Sequence, residues 1–368
     1  MGEKVYFAGL RCRDPEDNTI SKIKRLFDAA GFSSICTGHA LTAVKLHFGE
    51  SGSDAYINPV FVRQVVDKIK EHGGRPFITD SNTLYRGSRS NAVDHITTAI
   101  EHGFAYAVVG APLIIADGLT GRHYTEVEIH KKHFRRVRIS GDIHAAKGMI
   151  VLSHVKGHEV AGFGGAIKNL AMGCAPPAGK QDQHSARPMP VEGRCTGCGT
   201  CVPVCPGSAI TVEDGKSRID HGSCIGCFAC MAVCPEYAIE VDWATEIPLF
   251  VERMVEYAYG AAMHATGRTG YMNFLTRITP DCDCLPWSDA PVVPDIGFLA
   301  SRDPVAIDAA SIDLVNGQAG FRDSLLQAHF KPGEDKFRGI RPQTDGYLQI
   351  RYAEEIGLGS AAYELVRL

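Results

Sequence analysis

A chain of 368 residues carrying a net charge of −4 gives no electrostatic reason to expect nucleic-acid binding. No apolar stretch approaches the roughly 18 residues of a membrane span, and the start, Met1-Gly2-Glu3-Lys4-Val5, has no secretory pattern. With 45% hydrophobic and 22% charged residues it can build one large or two ordinary domains. Its thirteen cysteines, many in regular C-x-x-C runs, point to metal binding inside the cell, so a cytoplasmic location is expected.

In chain order, Val5–Leu10 reads as a strand and Thr19–Ala30 as a helix that Asn18 or Thr19 can cap and Gly31 can end. Ala43–Phe48 is a strand, Pro59–His72 a helix opened by proline, and Phe77–Asp80 a strand. Asn91–His102 is helical and leads into the apolar Phe104–Val109, and Gly148–Ser153 is a further apolar strand. Past residue 242, Ile247–Thr266 reads as a long helix, Tyr271–Ile278 and Ile296–Ser301 as strands, and Asp303-Pro304 opens another helix. Strands alternating with helices predict an α/β fold, a mainly parallel sheet flanked by helices. The loop Cys174–Pro190, rich in Pro, Gly, Gln and His, separates this pattern from a small α+β insertion. Residues 1–190 and 243–368 are then two parts of one α/β domain, with 191–242 inserted; two independent flanking domains are the alternative.

Within the insertion, Cys195, Cys198, Cys201 and Cys205-Pro206 repeat as Cys224, Cys227, Cys230 and Cys234-Pro235. Both read C-x2-C-x2-C-x3-C-P, a run that holds a cubane iron–sulfur cluster. Each run leads into a short strand, Ser208–Val212 and Tyr237–Val241. Zinc knuckles usually use two cysteines per turn, so paired zinc sites fit this spacing poorly. The segment resembles bacterial two-cluster ferredoxins. That resemblance implies two 4Fe-4S clusters, one held by Cys195, Cys198, Cys201 and Cys234, the other by Cys224, Cys227, Cys230 and Cys205.

Parallel sheets place functional residues just past the carboxyl ends of their strands. Three such positions are polar: Lys45, His47 and Glu50; Asp80, Ser81 and Asn82, with Tyr85 and Arg86; and His154, Lys156 and His158. Together they could line one cleft, with Lys45, Asp80 and Asn82 as binding residues and His154, Lys156 and His158 as the catalytic candidates. The third run continues into Gly162-Phe-Gly164-Gly165-Ala-Ile-Lys168-Asn169. Its glycines would let backbone N–H groups approach an anion at a helix start, although the run is neither a dinucleotide fingerprint nor a P-loop.

These stretches, together with Thr79-Asp-Ser-Asn82, Tyr85-Arg-Gly87, Pro294-Asp-Ile-Gly297 and Ser301-Arg-Asp-Pro-Val-Ala306, resemble the DUF362 family over nearly the whole chain. The likeness implies an architecture and a cofactor but little chemistry. His158, the glycine turn and Lys168 are also similar to a stretch of the nickel-pincer lactate racemases. That similarity implies an acid/base role for His158 and a cofactor-anchoring role for Lys168, but the second catalytic histidine of those enzymes has no counterpart motif here.

Cys282-Asp283-Cys284 is a further candidate metal site, for zinc, iron or nickel, to which Cys174 and His184 could add ligands. One ion could engage both thiolates only if the chain bends, and a redox-sensitive pair is the alternative. The basic run Lys131-Lys132, Arg135-Arg136 and Arg138 reads as a solvated face, or as a dock for an acidic partner. The composite expectation is a protein that exchanges electrons with a donor or acceptor protein through its clusters and acts on an anionic small molecule. A non-enzymatic carrier subunit, or a metal- or cluster-delivery factor, is the rival.

Overall fold

The computed structural model describes residues 2–85, 87–184, 188–191, 193–224, 229–240, 243–264 and 267–368. Cys227, Arg86, Val241, Asp242 and Thr266 lie outside the described residues.

One eight-stranded sheet organises the chain. Its strands are β1 (Glu3–Gly9), β2 (Leu41–Lys45), β3 (Arg75–Asp80), β4 (Leu113–Ile115), β5 (Gly148–His154), β6 (Thr269–Leu275), β7 (Gly297–Ser301) and β8 (Tyr363–Arg367). They lie in the order β8-β1-β7-β6-β5-β2-β3-β4. Strand β7 runs antiparallel to β1 and β6, and every other neighbouring pair is parallel. The sheet is thus mainly parallel, as the strand–helix alternation predicts. Strands from both ends of the chain share it.

Why the strands read as unbroken apolar runs is clear at β5, where every residue is buried. Side chains alternate across a strand. Met149 and Val151 join one core, with residues of the helices Trp243–His264 and Pro304–Asn316. Ile150 and Leu152 join the other, with the helices Thr19–Ala29 and Pro59–Glu71. Each fully buried Ile, Leu, Val or Met contributes roughly 1.5–3 kcal/mol of transfer free energy. Helices cover both faces, and β2, β3, β5 and β6 finish together at one row of strand ends.

Residues 188–240 form a small unit beside the sheet. Met189–Pro190 pairs antiparallel with Ile239–Glu240, and Ile210–Glu213 with Lys216–Ile219. The repeat seen in the sequence is a repeat of geometry. Ser208 and Tyr237 occupy matching places after Cys205-Pro206 and Cys234-Pro235, and both are left-handed, with φ of 49° and 48°. That turn aims Ala209 N–H at Cys205 Sγ (3.3 Å) and Ala238 N–H at Cys234 Sγ (3.2 Å). Its small core is equally paired, with Cys201 and Cys230, and Ile210 and Ile239, packed together.

Candidate functional site

The strand ends are charged and buried, which is stable only when the charges satisfy one another. Lys45 Nζ, at the end of β2, lies 3.0 Å from Asp80 Oδ1 at the end of β3, and donates to Asn169 Oδ1 (2.7 Å) and the Leu46 carbonyl (3.2 Å). Its three ammonium protons are all used. Arg89 (3.6 Å) and His95 (3.9 Å) also face Asp80. Burial alone would raise the Asp80 carboxyl, but Lys45 and the other cations outweigh it and hold the group well below the usual carboxylate range. The Asn82 backbone N–H and side-chain amide both donate to Asp117, the latter at 2.9 Å. Lys45 and Asp80 therefore brace the strand ends against each other, while the Asn82 amide nitrogen is spent on Asp117 and its buried Oδ1 has no hydrogen-bond partner.

Past β6 the chain bends as a shared site requires. Leu285 N–H donates to the Cys282 carbonyl (3.0 Å), closing a turn over residues 282–285. The Asp283 carboxylate inside this turn takes His154 Nδ1 (2.9 Å) and Lys156 Nζ (3.0 Å). His154 Nε2 faces the carbonyls of Thr276 (3.0 Å) and Arg277 (3.1 Å), so neither ring nitrogen is open to a reacting proton. The turn is pinned from outside as well. Glu50 N–H donates to the Asp283 carbonyl (2.9 Å), Tyr85 Oη to the Cys284 carbonyl (3.1 Å), and Arg341 to the Pro280 carbonyl (2.9 Å). Arg89 in turn holds Tyr85 Oη (2.6 Å) and Glu50 (3.1 Å).

Lys168 and the cysteine pair meet here. Lys168 Nζ lies 3.4 Å from Cys282 Sγ. The Cys284 thiol hydrogen-bonds Cys282, and this bond together with Lys168 overcomes burial and holds Cys282 well below the ordinary thiol range. Cys284, the donor of that bond, is pushed well above it. Cys282 is buried and Cys284 half-buried.

His158 is built as a neutral donor. Its Nδ1 accepts the N–H groups of Val160 (3.2 Å) and Ala161 (3.0 Å), so the ring proton sits on Nε2, 3.5 Å from Glu159 Oε2. Burial, helped by Lys168, pushes the ring well below its ordinary titration range. It can donate a hydrogen bond from Nε2 but not accept one there. His47, whose Nδ1 takes Gly49 N–H (2.9 Å), is held neutral in the same way, by burial and by Arg89.

The glycine turn differs from the expected anion cradle. Gly162–Gly164 pairs antiparallel with Lys156–His158, and a side chain on Gly164 would press on Lys168 Cδ at 3.3 Å and Lys156 Cε at 3.6 Å. Its absence makes room for the two lysines. The N–H groups of Ala166 and Ile167 do bind an anion, the protein's own Asp308 carboxylate, at 2.7 and 2.9 Å. Asn273 donates to the same carboxylate (2.7 Å). A Cβ on Gly165 would run into Asp308 and lie 2.7 Å from Phe163 Cζ. Gly165→Ala should therefore cost about 1–3 kcal/mol of stability, read as a lower urea midpoint; an unchanged midpoint would show the turn to be loose.

Four cysteines of the small unit, Cys195, Cys198, Cys201 and Cys234, line a single pocket, three from the first run and one from the second. Hydrogen bonds from the Ser217 hydroxyl and N–H (both 3.3 Å) reach Cys195 Sγ and lower its thiol below the ordinary range. Among the described residues no three His, Cys, Asp or Glu side chains converge closely enough for one metal ion, so Cys174 and His184 do not join Cys282 and Cys284. Sulfurs around a cubane stand farther apart than the ligands of one ion, and the pocket is lined by four cysteines. Cys205, Cys224 and Cys230 belong to the other expected set, and its fourth member is Cys227.

With this geometry in view, comparison with known proteins settles the family. The sequence profile of DUF362, a domain of unknown function, matches residues 42–313. The chain belongs to the DUF362 family. No curated protein matches it. Among solved structures, this DUF362 protein is similar to the lactate racemase apoprotein from Thermoanaerobacterium thermosaccharolyticum, with TM-score 0.37 and 9% identity over 69% of this chain and 49% of that one. It is also similar to a protein from Thermotoga maritima, with TM-score 0.34 and 7% identity over 72% of this chain and 52% of that one. The chain spans about half the length of each.

Several parts of this DUF362 site escape sequence reasoning. Asp283 lies between two singled-out cysteines, yet its role as counter-ion to His154 and Lys156 has no local sign. Arg89 and Asp308 likewise act on distant segments. Three of the five basic residues of the run are paired: Arg136 with Glu128 (2.8 Å), Lys132 with Glu252 (2.8 Å) and Arg138 with Asp182 (3.1 Å). It is a surface face with its own counter-charges, which weakens the case for docking an acidic partner.

Proposed function

We propose that this DUF362 protein is an electron-transfer protein that holds two 4Fe-4S clusters in residues 191–242 and exchanges electrons with the Cys282–Cys284 site. The observation that supports this reading is the duplicated eight-cysteine run, whose Cys195, Cys198, Cys201 and Cys234 line one cavity. When bound, such clusters supply one-electron relay. The surrounding chain would hold the thiolates through Ser217, Ala209 and Ala238 N–H groups, and donors of this kind tune cluster potential.

The path to the sheet is short along the chain. His184 precedes the unit and Phe250 follows it; their rings lie 5.2 Å apart, and Phe250 stacks on His158 at 6.4 Å. Lys168, charged beside Cys282, would stabilise negative charge arriving there, and the neutral His158 would donate a hydrogen bond from Nε2. A second reading, a carrier subunit without chemistry of its own, is favoured by the near-complete internal pairing of the strand-end charges.

An iron, sulfide and metal inventory on anaerobically purified protein tests both. Roughly eight irons with matching sulfide are expected. Zinc in place of iron, or iron without sulfide, would overturn the cluster assignment. A further stoichiometric metal that vanishes on replacing Cys282 and Cys284 would replace the thiol site with a metal site.

A further inference from the structure

We propose that Cys282 and Cys284 form a reactive dithiol–disulfide centre whose substrates are small organic disulfides. The turn over 282–285 bends the segment back on itself and sets Cys282 Sγ 3.4 Å from Lys168 Nζ. Five partners fix that turn: His154, Lys156, Glu50, Tyr85 and Arg341. A C-x-C segment held this tightly is pre-organised for reaction between its own sulfurs. The Lys168 ammonium at 3.4 Å places positive charge where a metal cation would sit, and no third ligand converges among the described residues. The same ammonium is what a thiolate, or a departing thiolate, requires.

The exposures assign the roles. Cys284 is the half-buried sulfur that an incoming disulfide RS–SR can reach, and Cys282 is the buried thiolate beside Lys168. The Cys284 proton passes to Cys282 as the Cys284 sulfur becomes the nucleophile. The Cys284 sulfur attacks, the RS–SR bond breaks, a Cys284–SR bond forms, and the first RS⁻ leaves. That thiolate takes the proton from Cys282. The Cys282 thiolate then attacks the Cys284 sulfur, closing the protein disulfide and expelling the second RS⁻. In sum, one thiol, one thiolate and RS–SR become one protein disulfide, RSH and RS⁻, and RS–SR is reduced by two electrons. Return of the disulfide to the starting state takes two electrons and one proton. Only if iron–sulfur centres supply those electrons does this half rest on the proposed function; a dithiol reductant replaces them in the test.

The test uses full-length protein, purified anaerobically and pre-reduced with dithiothreitol that is then removed. Against oxidised glutathione and 5,5′-dithiobis(2-nitrobenzoate), the wild type should release two thiol equivalents more than the Cys282→Ser/Cys284→Ser double variant, at equal iron content. Peptide mass spectrometry should then find a Cys282–Cys284 disulfide. Cys282→Ser should stop at a stable mixed disulfide on Cys284, releasing one extra equivalent. Lys168→Met should slow the reaction roughly threefold to tenfold and move its pH–rate profile upward. Absence of the Cys282–Cys284 disulfide over a full series of thiol–disulfide ratios in the wild type, a measurement that needs no variant, would overturn the proposal. So would a bound zinc that must be stripped before these cysteines react. Low iron in the same samples would count against the cluster reading alone.

Discussion

Replacing Asp283 with alanine should lower stability by about 3–5 kcal/mol, because it strands two buried partners at once. The carboxylate, 2% exposed, lies 2.9 Å from His154 and 3.0 Å from Lys156, and no water can take its place without opening the turn. Asp283→Asn keeps the shape and one acceptor and should cost less. The acid side of the stability curve gives an independent readout. Burial would raise Asp283, but His154 and Lys156 outweigh it, and Asp80 is depressed in the same way by Lys45 and its neighbours. For carboxyls depressed in the folded state, the stabilisation is complete above the free-carboxyl range, near pH 4, and is lost as pH falls through the folded values. The wild-type urea midpoint should therefore fall steeply below about pH 4. The Asp283→Ala midpoint should start lower and fall less steeply. Equal slopes would mean that this ion pair forms no part of the acid sensitivity.

The second large effect concerns iron, and it follows from which cysteines share a cavity. Cys201 and Cys234 come from different runs yet line the same space. Cys201→Ala or Cys234→Ala should each remove about half the iron, and the Cys201→Ala/Cys234→Ala pair should remove no more than either alone. By contrast, Cys201→Ala/Cys205→Ala, two changes within one run, should remove nearly all of it. Iron and acid-labile sulfide per chain decide the matter. If the within-run pair loses half and the cross-run pair loses all, each run holds its own cluster and the crossing assignment is wrong.

Much of the scaffold is legible where the signal is local. Asn18 accepts from Ser21 N–H, Asn91 from Val93 and Asp94, and Asp303 from Val305 and Ala306, so these helices start where a capping side chain stands. The strand ends bearing Lys45, Asp80 and His154 are legible too, because a polar residue closing an apolar run marks where a buried strand emerges. What remains hidden is decided across the chain. His154 meets Asp283 over a separation of 129 residues, and Ala166 meets Asp308 over 142. The direction of β7 leaves no mark, since a strand buried on both faces is apolar either way. Strand β4, at the sheet edge, is three residues long, too short to show alternation. The hairpin Tyr124–Glu128 with Arg136–Ser140 turns the basic run into a cross-strand ladder, Arg136 opposite Glu128 and Arg138 opposite Glu126. Lys45, Asp80, Asn82 and His154 all stand at the strand ends, where Lys45 pairs with Asp80, Asn82 with Asp117 and His154 with Asp283.

The pairing of Met189 with Glu240 and of Pro190 with Ile239 also bears on how such a chain can arise. The polypeptide departs from the sheet-bearing body and rejoins it at adjacent points, about 5 Å apart between paired Cα atoms. Everything between those points can be gained or lost as a single cassette, because no strand of the sheet would need re-threading and no sheet hydrogen bond would change partners. Genetic exchange at one hairpin-width boundary could therefore convert a bare sheet protein into a cysteine-rich one, or strip it again, leaving the ion-paired floor beneath Cys282 untouched.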